Sequence, residues 1–90
     1  MSAKQFKKNQ IDTMLKHLKM ALSYCNIYQD IVDLTYDPDY EVVICSYAGP
    51  GVETSIGISR PIWTLEINVA CDSNSAMLMD VIKRLDAFFG

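Results

Sequence analysis

The fold is signalled most clearly by residues 63–69, which read WTLEINV. In this stretch large apolar side chains alternate with polar ones. Because successive side chains of a β-strand point to opposite sides, the period of two predicts a strand with one face in the core and one in water. The apolar positions are Trp63, Leu65, Ile67 and Val69, and the polar positions are Thr64, Glu66 and Asn68.

Two further strands are predicted before this one, joined by a tight turn. Residues 31–36 alternate with period two, and residues 41–47 are rich in strand-forming side chains. Between them, Asp37-Pro38-Asp39 is typical of a hairpin turn, because proline presets φ and aspartate accepts hydrogen bonds from nearby backbone N–H groups. Strands joined by a hairpin pair in antiparallel fashion.

The segment between the second strand and residue 63 is ambiguous. Residues 48–51 read AGPG and end the second strand. Residues 52–61 fit either a short strand or an extended loop. Ile56 and Ile58 alternate with polar neighbours, but Gly57 weakens a strand.

An amphipathic helix is predicted at each end of the chain. The first runs from about residue 3 to about residue 29, and its first turns are expected to fray because only Phe6 anchors them. The second follows several N-cap candidates in residues 72–75. The apolar stripes are Ile11, Met14, Leu15, Leu18, Leu22 and Cys25 in the first helix, and Leu78, Val81, Ile82, Leu85, Phe88 and Phe89 in the second.

These elements predict an α+β fold in the order α-β-β-(β)-β-α. The antiparallel sheet has three to four strands, and two helices pack on one of its faces. Since 90 residues bury only one small core, residues 1–90 are expected to form a single domain, with residues 1–5 frayed.

Composition narrows the functional classes. The net charge of −3 disfavours direct nucleic-acid binding, which needs a basic surface for phosphates. No apolar run approaches the roughly 20 residues of a membrane span, and the start MSAKQFKKNQ does not lead into an apolar signal segment. The odd number of cysteines, without a paired motif, argues for reduced thiols. We therefore expect a cytoplasmic protein that contacts no membrane.

The sequence suggests no catalytic, metal or cofactor site. His17 lies off the apolar stripe with no partner to orient it, and is expected on the surface. Cys25, Cys45 and Cys71 lack metal-ligand spacing and each fit an apolar position. A calcium loop starting at Asp37 fails at its glycine and glutamate positions, and the AGPG turn does not match a phosphate loop.

One surface feature remains, the acidic stretch between residues 30 and 41, which holds five carboxylates, no base and two tyrosines. Tyrosine is enriched at interfaces, and a negative surface attracts a basic partner. The alternative explanation is a charged edge strand that discourages aggregation. The candidate partner-binding residues are Asp33, Tyr36, Asp37, Asp39, Tyr40 and Glu41.

Resemblances to known families concern form more than motif. The element order resembles double-stranded RNA-binding domains, which implies basic residues at the start of the last helix. Here residues 72–77 read DSNSAM, so that function does not carry over. In size, acidity and lack of a catalytic motif, the chain resembles small phage-encoded inhibitors of host defence, including anti-CRISPR proteins. It is similar more loosely to bacterial secretion chaperones.

The leading hypothesis is therefore a non-enzymatic protein-binding module. It would be a small acidic inhibitor or adaptor that covers a basic surface of a larger partner protein, in the host cytoplasm if it is phage-encoded. A second hypothesis is a self-associating structural or assembly protein, such as a homodimer formed through the sheet or the Phe88-Phe89 end. A third is a small chaperone-like adaptor.

Overall fold

The computed structural model describes residues 2–70 and 72–90 and has the predicted α+β architecture. A single turn of 3-10 helix at Asn26–Tyr28 joins the first helix to the first strand. The helices and strands are α1 (Ala3–Leu22), β1 (Ile31–Asp37), β2 (Val42–Ala48), β3 (Val52–Thr54), β4 (Gly57–Ser59), β5 (Ile62–Asn68) and α2 (Asn74–Phe89).

The main sheet has three antiparallel strands in the order β1-β2-β5. Its central strand places Cys45 between Leu34 and Leu65. One row further along, Val43 lies between Tyr36 and Ile67. Because paired residues share a face, these rows form one continuous apolar surface.

Both helices cover this apolar surface, as predicted. Ile11 and Leu15 of α1 and Val81 and Leu85 of α2 are at most 1% exposed and belong to the same buried cluster as the strand residues. Burial of each such side chain contributes about 1.5–3 kcal/mol. Cys45 is fully buried in this core, which confirms its apolar role.

The first helix is shorter than predicted. It ends at Leu22, and the following amides of Tyr24 and Cys25 bond three residues back instead of four. A straight helix to residue 29 would be about 40 Å long and would carry Tyr28 past the core. Ending at Leu22 lets the chain turn back, so that Tyr28 is buried with its ring edge-on to Phe89. Cys25 is consequently exposed and does not belong to the helix stripe.

The second helix begins as predicted but presents a slightly different stripe. Ser73 caps it by accepting a hydrogen bond from the Ala76 N–H at 3.2 Å. Met77, which the pattern did not assign to the core, is buried, whereas Ile82 and Phe88 are partly exposed.

Residues 50–60 form a hairpin outside the main sheet. Strands β3 and β4 pair only with each other, and every residue from 50 to 60 is exposed. We call residues 50–60 the arm. At its base the Gly49 N–H donates to the Pro61 carbonyl at 2.7 Å, and a Cβ on Gly49 would lie 2.9 Å from the Trp63 ring, so only glycine fits.

Arg60 fixes the base of the arm to the body. Its guanidinium donates to the carbonyl oxygens of Gly49 and Ala48 and to the Asp30 carboxylate at 2.8–3.1 Å. The bond to Asp30 raises the pKa of Arg60 above its usual value. The arm therefore leaves the body in a defined direction.

The outer edge of β1 is covered by side chains of α1. The Asp12 carboxylate accepts a hydrogen bond from the Tyr36 N–H at 2.8 Å, and Lys8 Nζ donates to the Tyr36 carbonyl at 3.2 Å. Lys8 and Asp12 also bond each other at 2.6 Å. This ion pair occupies the N–H and C=O of Tyr36, which another strand would otherwise use.

Replacing Asp12 with alanine is expected to lower the free energy of unfolding by about 1–3 kcal/mol, because a charged acceptor of a part-buried N–H is removed. Asp12→Asn keeps an acceptor oxygen and should lose less. Urea denaturation measures both, with Glu53→Ala on the exposed arm as the control. Equal stability of Asp12→Ala and the control would contradict this role.

Candidate functional site

We call the face of the main sheet turned away from the helices the open face, and the charged residues of its own strands are all acidic. Lys4 and Lys8 of α1 lie at its border beside Asp37. The side chains of the open face alternate with the core residues along β1, β2 and β5. The only charged residues in these three strands are Asp33, Asp37 and Glu66, and all three lie on this face. The open face therefore carries carboxylates without a base among its strands.

An apolar floor lies between these acids. Val42 is 7% exposed although it stands outside the main core cluster, and Ile44 beside it is half-buried. Together with Asp37, Tyr40, Glu66 and Asn68 they line a concavity of about 430 Å³. Asp37 on β1 and Glu66 on β5 lie two strand spacings and two residues apart, a backbone separation of roughly 12 Å, on opposite sides of this floor.

The β1–β2 turn forms one rim of the concavity. The Asp37 carboxylate accepts hydrogen bonds from the N–H groups of Asp39 at 2.9 Å and Tyr40 at 3.4 Å, which confirms the predicted turn. Glu41 has φ of 52°, in the left-handed region, and its carbonyl accepts from the Val69 N–H. The turn thus leaves the Tyr40 side chain 78% exposed.

The candidate partner-binding residues do not all reach the surface. Asp33, Asp39, Tyr40 and Glu41 are exposed, and Asp37 is half-buried. Tyr36 must be removed from the set, because it is 3% exposed and its ring packs in the core. Its place in the alternation of β1 opposite Val43 required this.

Asp39 is not a bare charge. It forms an ion pair with Lys4 at 2.7 Å, and this hydrogen bond raises the pKa of Lys4. Both side chains are more than 60% exposed, so the pair contributes little to stability. Lys4 thus offsets the charge of Asp39 at the turn, whereas Asp33 and Glu66 have no ion-pair partner among the described residues.

Glu66, Val42 and Ile44 belong to the site but were not among the candidate residues. The alternation of residues 63–69 already placed Glu66 on the polar face of its strand. The missing information was strand order: β5 pairs with β2, which brings Glu66 beside Ile44 and across from Thr35. Adjacency between strands separated by the arm has no local sequence signal.

The remaining candidate groups are separate from this site. His17 is exposed on α1, as predicted. Within residues 2–70 and 72–90, no cluster of three His, Cys, Asp or Glu side chains is placed to hold a metal ion. Burial raises the pKa of the Cys45 thiol to about 11. The expectation for Cys71 lies outside the described residues.

Comparisons with family models, curated proteins and solved structures found no match to this chain. Among the described residues, neither helix has the length and apolar content needed to cross a membrane. The open face is therefore interpreted from its own chemistry.

The two described thiols should differ sharply in reactivity. In a Cys71→Ser background, the exposed Cys25 is expected to react with a disulfide reagent at neutral pH. Cys45 should react only after unfolding, because it is buried and its raised pKa leaves little thiolate. Absorbance titration with and without denaturant measures this. Fast reaction of two thiols in the native Cys71→Ser protein would contradict the buried position of Cys45.

Glycine at position 41 should relieve the steric strain of the left-handed backbone conformation there. We expect Glu41→Gly to leave the free energy of unfolding unchanged or to raise it by up to about 1 kcal/mol, because glycine adopts positive φ without a steric penalty. Glu41→Val, with a branched Cβ, should lower it. Urea denaturation of both variants tests this, and a destabilised glycine variant would show that the Glu41 side chain itself supports the turn.

Proposed function

We propose that this chain is a non-enzymatic protein-binding module that holds a basic segment of a larger protein on the open face of its sheet. The observation that supports this most directly is the combination of an acidic rim with an apolar floor. Asp37 and Glu66 stand on either side of Val42 and Ile44, and Tyr40 projects at one end.

This combination suits a lysine or arginine side chain. Such a residue has an apolar stem and a charged head, so its stem can cover apolar surface while its head reaches a carboxylate. Val42 and Ile44 offer the apolar surface for the stem, and Glu66 offers the carboxylate for the charged head. The exposed Tyr40 ring can add a cation–π contact, worth about 0.5–1 kcal/mol at an exposed site.

Charge also favours a basic partner at longer range. The nearby lysines of α1 are already engaged, Lys4 with Asp39 and Lys8 with Asp12. Glu66 and Asp33 form no ion pair in the described chain. Unpaired carboxylates on one face steer a positive partner and raise the association rate.

The biological setting we propose is that of a small inhibitor or adaptor acting in the cytoplasm. By covering a basic surface, such a module would block a larger protein that handles nucleic acid, as anti-defence proteins of the anti-CRISPR kind do. A small chaperone-like adaptor would use the same face on a basic segment of its client. The direct test of this proposal is whether the open face binds a basic peptide.

A labelled tetra-arginine peptide is a suitable probe. Titrated into isotopically labelled protein, it should shift the amide signals of Val42, Ile44 and Asn68. The variant Asp33→Asn/Glu66→Gln should weaken binding at least tenfold, because two of the three carboxylates of the open face lose their charge. Tyr40→Ala should weaken it about two- to fivefold.

The matched control is Glu53→Gln/Asp72→Asn, which changes net charge equally at two residues outside the three strands of the main sheet, and it should bind like the wild type. An equal loss in both double variants would show that net charge alone attracts the peptide and would contradict the proposed site. Signal shifts confined to another surface would contradict it as well. Affinity capture from a lysate, comparing the two double variants, would then identify the natural partner.

A further inference from the structure

The two outer edges of the main sheet differ in whether their backbone groups are bonded by side chains of the chain. The β1 edge is occupied by Asp12 and Lys8, which bond the Tyr36 backbone. It is also interrupted by a register shift between Ile31 and Asp33. Natural proteins use such devices to prevent strand addition. The outer edge of β5 has no comparable cover in the described chain.

The hydrogen bonds identify which backbone groups of β5 are free. The Pro61 carbonyl accepts from the Gly49 N–H, and the Val69 N–H donates to the Glu41 carbonyl, so residues 61 and 69 point toward β2 and its flanks. In an antiparallel strand, alternate residues point to opposite sides. The backbone N–H and C=O groups that point away from β2 are therefore those of Ile62, Thr64, Glu66 and Asn68.

We infer that this edge of β5 pairs with the same edge of a second copy, in antiparallel orientation about a twofold axis at Leu65. This contact is separate from the binding of a basic partner. The two copies would form one six-stranded sheet. Ile62 would exchange backbone hydrogen bonds with Asn68 of the second copy, and Thr64 with Glu66 of the second copy.

The strand fits its own copy because its outward-facing residues are placed symmetrically about Leu65. Residue 62 of one copy lies opposite residue 68 of the other, and residue 64 lies opposite residue 66. Each outward N–H and C=O group of these residues therefore meets a hydrogen-bond partner. Twofold contacts require this kind of self-complementarity. In this register the only charged residue of the strand, Glu66, is opposite the hydroxyl of Thr64 and not opposite another carboxylate.

The helix side of this edge carries a shallow groove of about 510 Å³ between the end of β5 and α2. Its lining includes Ile67, the cations Lys83 and Arg84, and the carboxylates of Glu66 and Asp80. The twofold places Trp63 of the second copy opposite Ile67. The Trp63 ring itself packs against Gly49 and Tyr47 of its own chain, so the contact between the copies depends on the backbone pairing of β5.

A flexible peptide could also add to this edge, but the second copy has an advantage. Its β5 is already ordered by pairing with β2, so association does not require ordering a free strand. Each copy carries a charge of −3, and their repulsion is screened by salt. The dimer should therefore tighten as ionic strength rises, whereas binding of a basic peptide to the open face should weaken.

Sedimentation velocity and equilibrium of the full chain, at about 1–200 µM and without any partner, test the inference. The wild type should sediment as a dimer at the upper concentrations. Thr64→Pro removes an outward N–H, and Thr64→Glu puts a carboxylate opposite Glu66 of the second copy, so both should raise the dissociation constant at least tenfold. Thr64→Ala, which keeps the N–H, and Thr64→Lys, which pairs with Glu66, should remain dimeric.

The double variant Thr64→Glu/Glu66→Lys guards against a folding defect. It restores opposite charges across the twofold and should dimerise again, and circular dichroism should show the same fold in all variants. A wild type that stays monomeric at 200 µM would overturn the inference. So would a dimer that is indifferent to Thr64→Glu and Thr64→Pro, or a monomer that instead takes up an extended peptide along β5. None of these outcomes depends on tetra-arginine binding, so the two proposals fail separately.

Discussion

The structure depends on the double pairing of β2, which is held in register by β1 on one side and β5 on the other. Because side chains and backbone groups both alternate along a strand, this register decides three properties together. It places Val43 and Cys45 against the helices and Val42 and Ile44 on the opposite side. It also decides which backbone groups are left at each outer edge. A shift of one residue would exchange the core and the open face.

The helix side and the open side of the main sheet differ in their exposure to water. The helix side is stabilised by removing apolar surface from water, and among the described residues no polar or charged residue is buried there. The open side exposes Asp33 and Glu66 to water, so their carboxylates stay available for contact. At the β1 edge, the backbone groups of Tyr36 are satisfied by Asp12 and Lys8 of the same chain.

Much of the fold could be predicted from the sequence because its signals are local. The alternation around Ile67, the Asp37-Pro38-Asp39 turn and the cap at Ser73 each depend on a few neighbouring residues. The end of α1 could not be predicted in the same way. Helical spacing continues to Cys25, and what ends the helix is the burial of Tyr28 against Phe89, a contact between opposite ends of the chain. The acidic turn could likewise be predicted because its residues are neighbours in the sequence. The place of Glu66 beside the floor of the concavity could not, because it depends on the pairing of distant strands.

The position of the arm determines which residues of this protein can be substituted without affecting the core. Gly49 and Pro61 are joined by a hydrogen bond, and Arg60 ties that junction to Asp30, so the body is closed before the arm begins. The eleven residues from 50 to 60 add no side chain to the core. The hairpin is thus an appendage on a finished scaffold. As long as Arg60 is kept, residues 51–59, with their exposed isoleucines Ile56 and Ile58, can be shortened, substituted or exchanged for a foreign loop without changing the packing of the core.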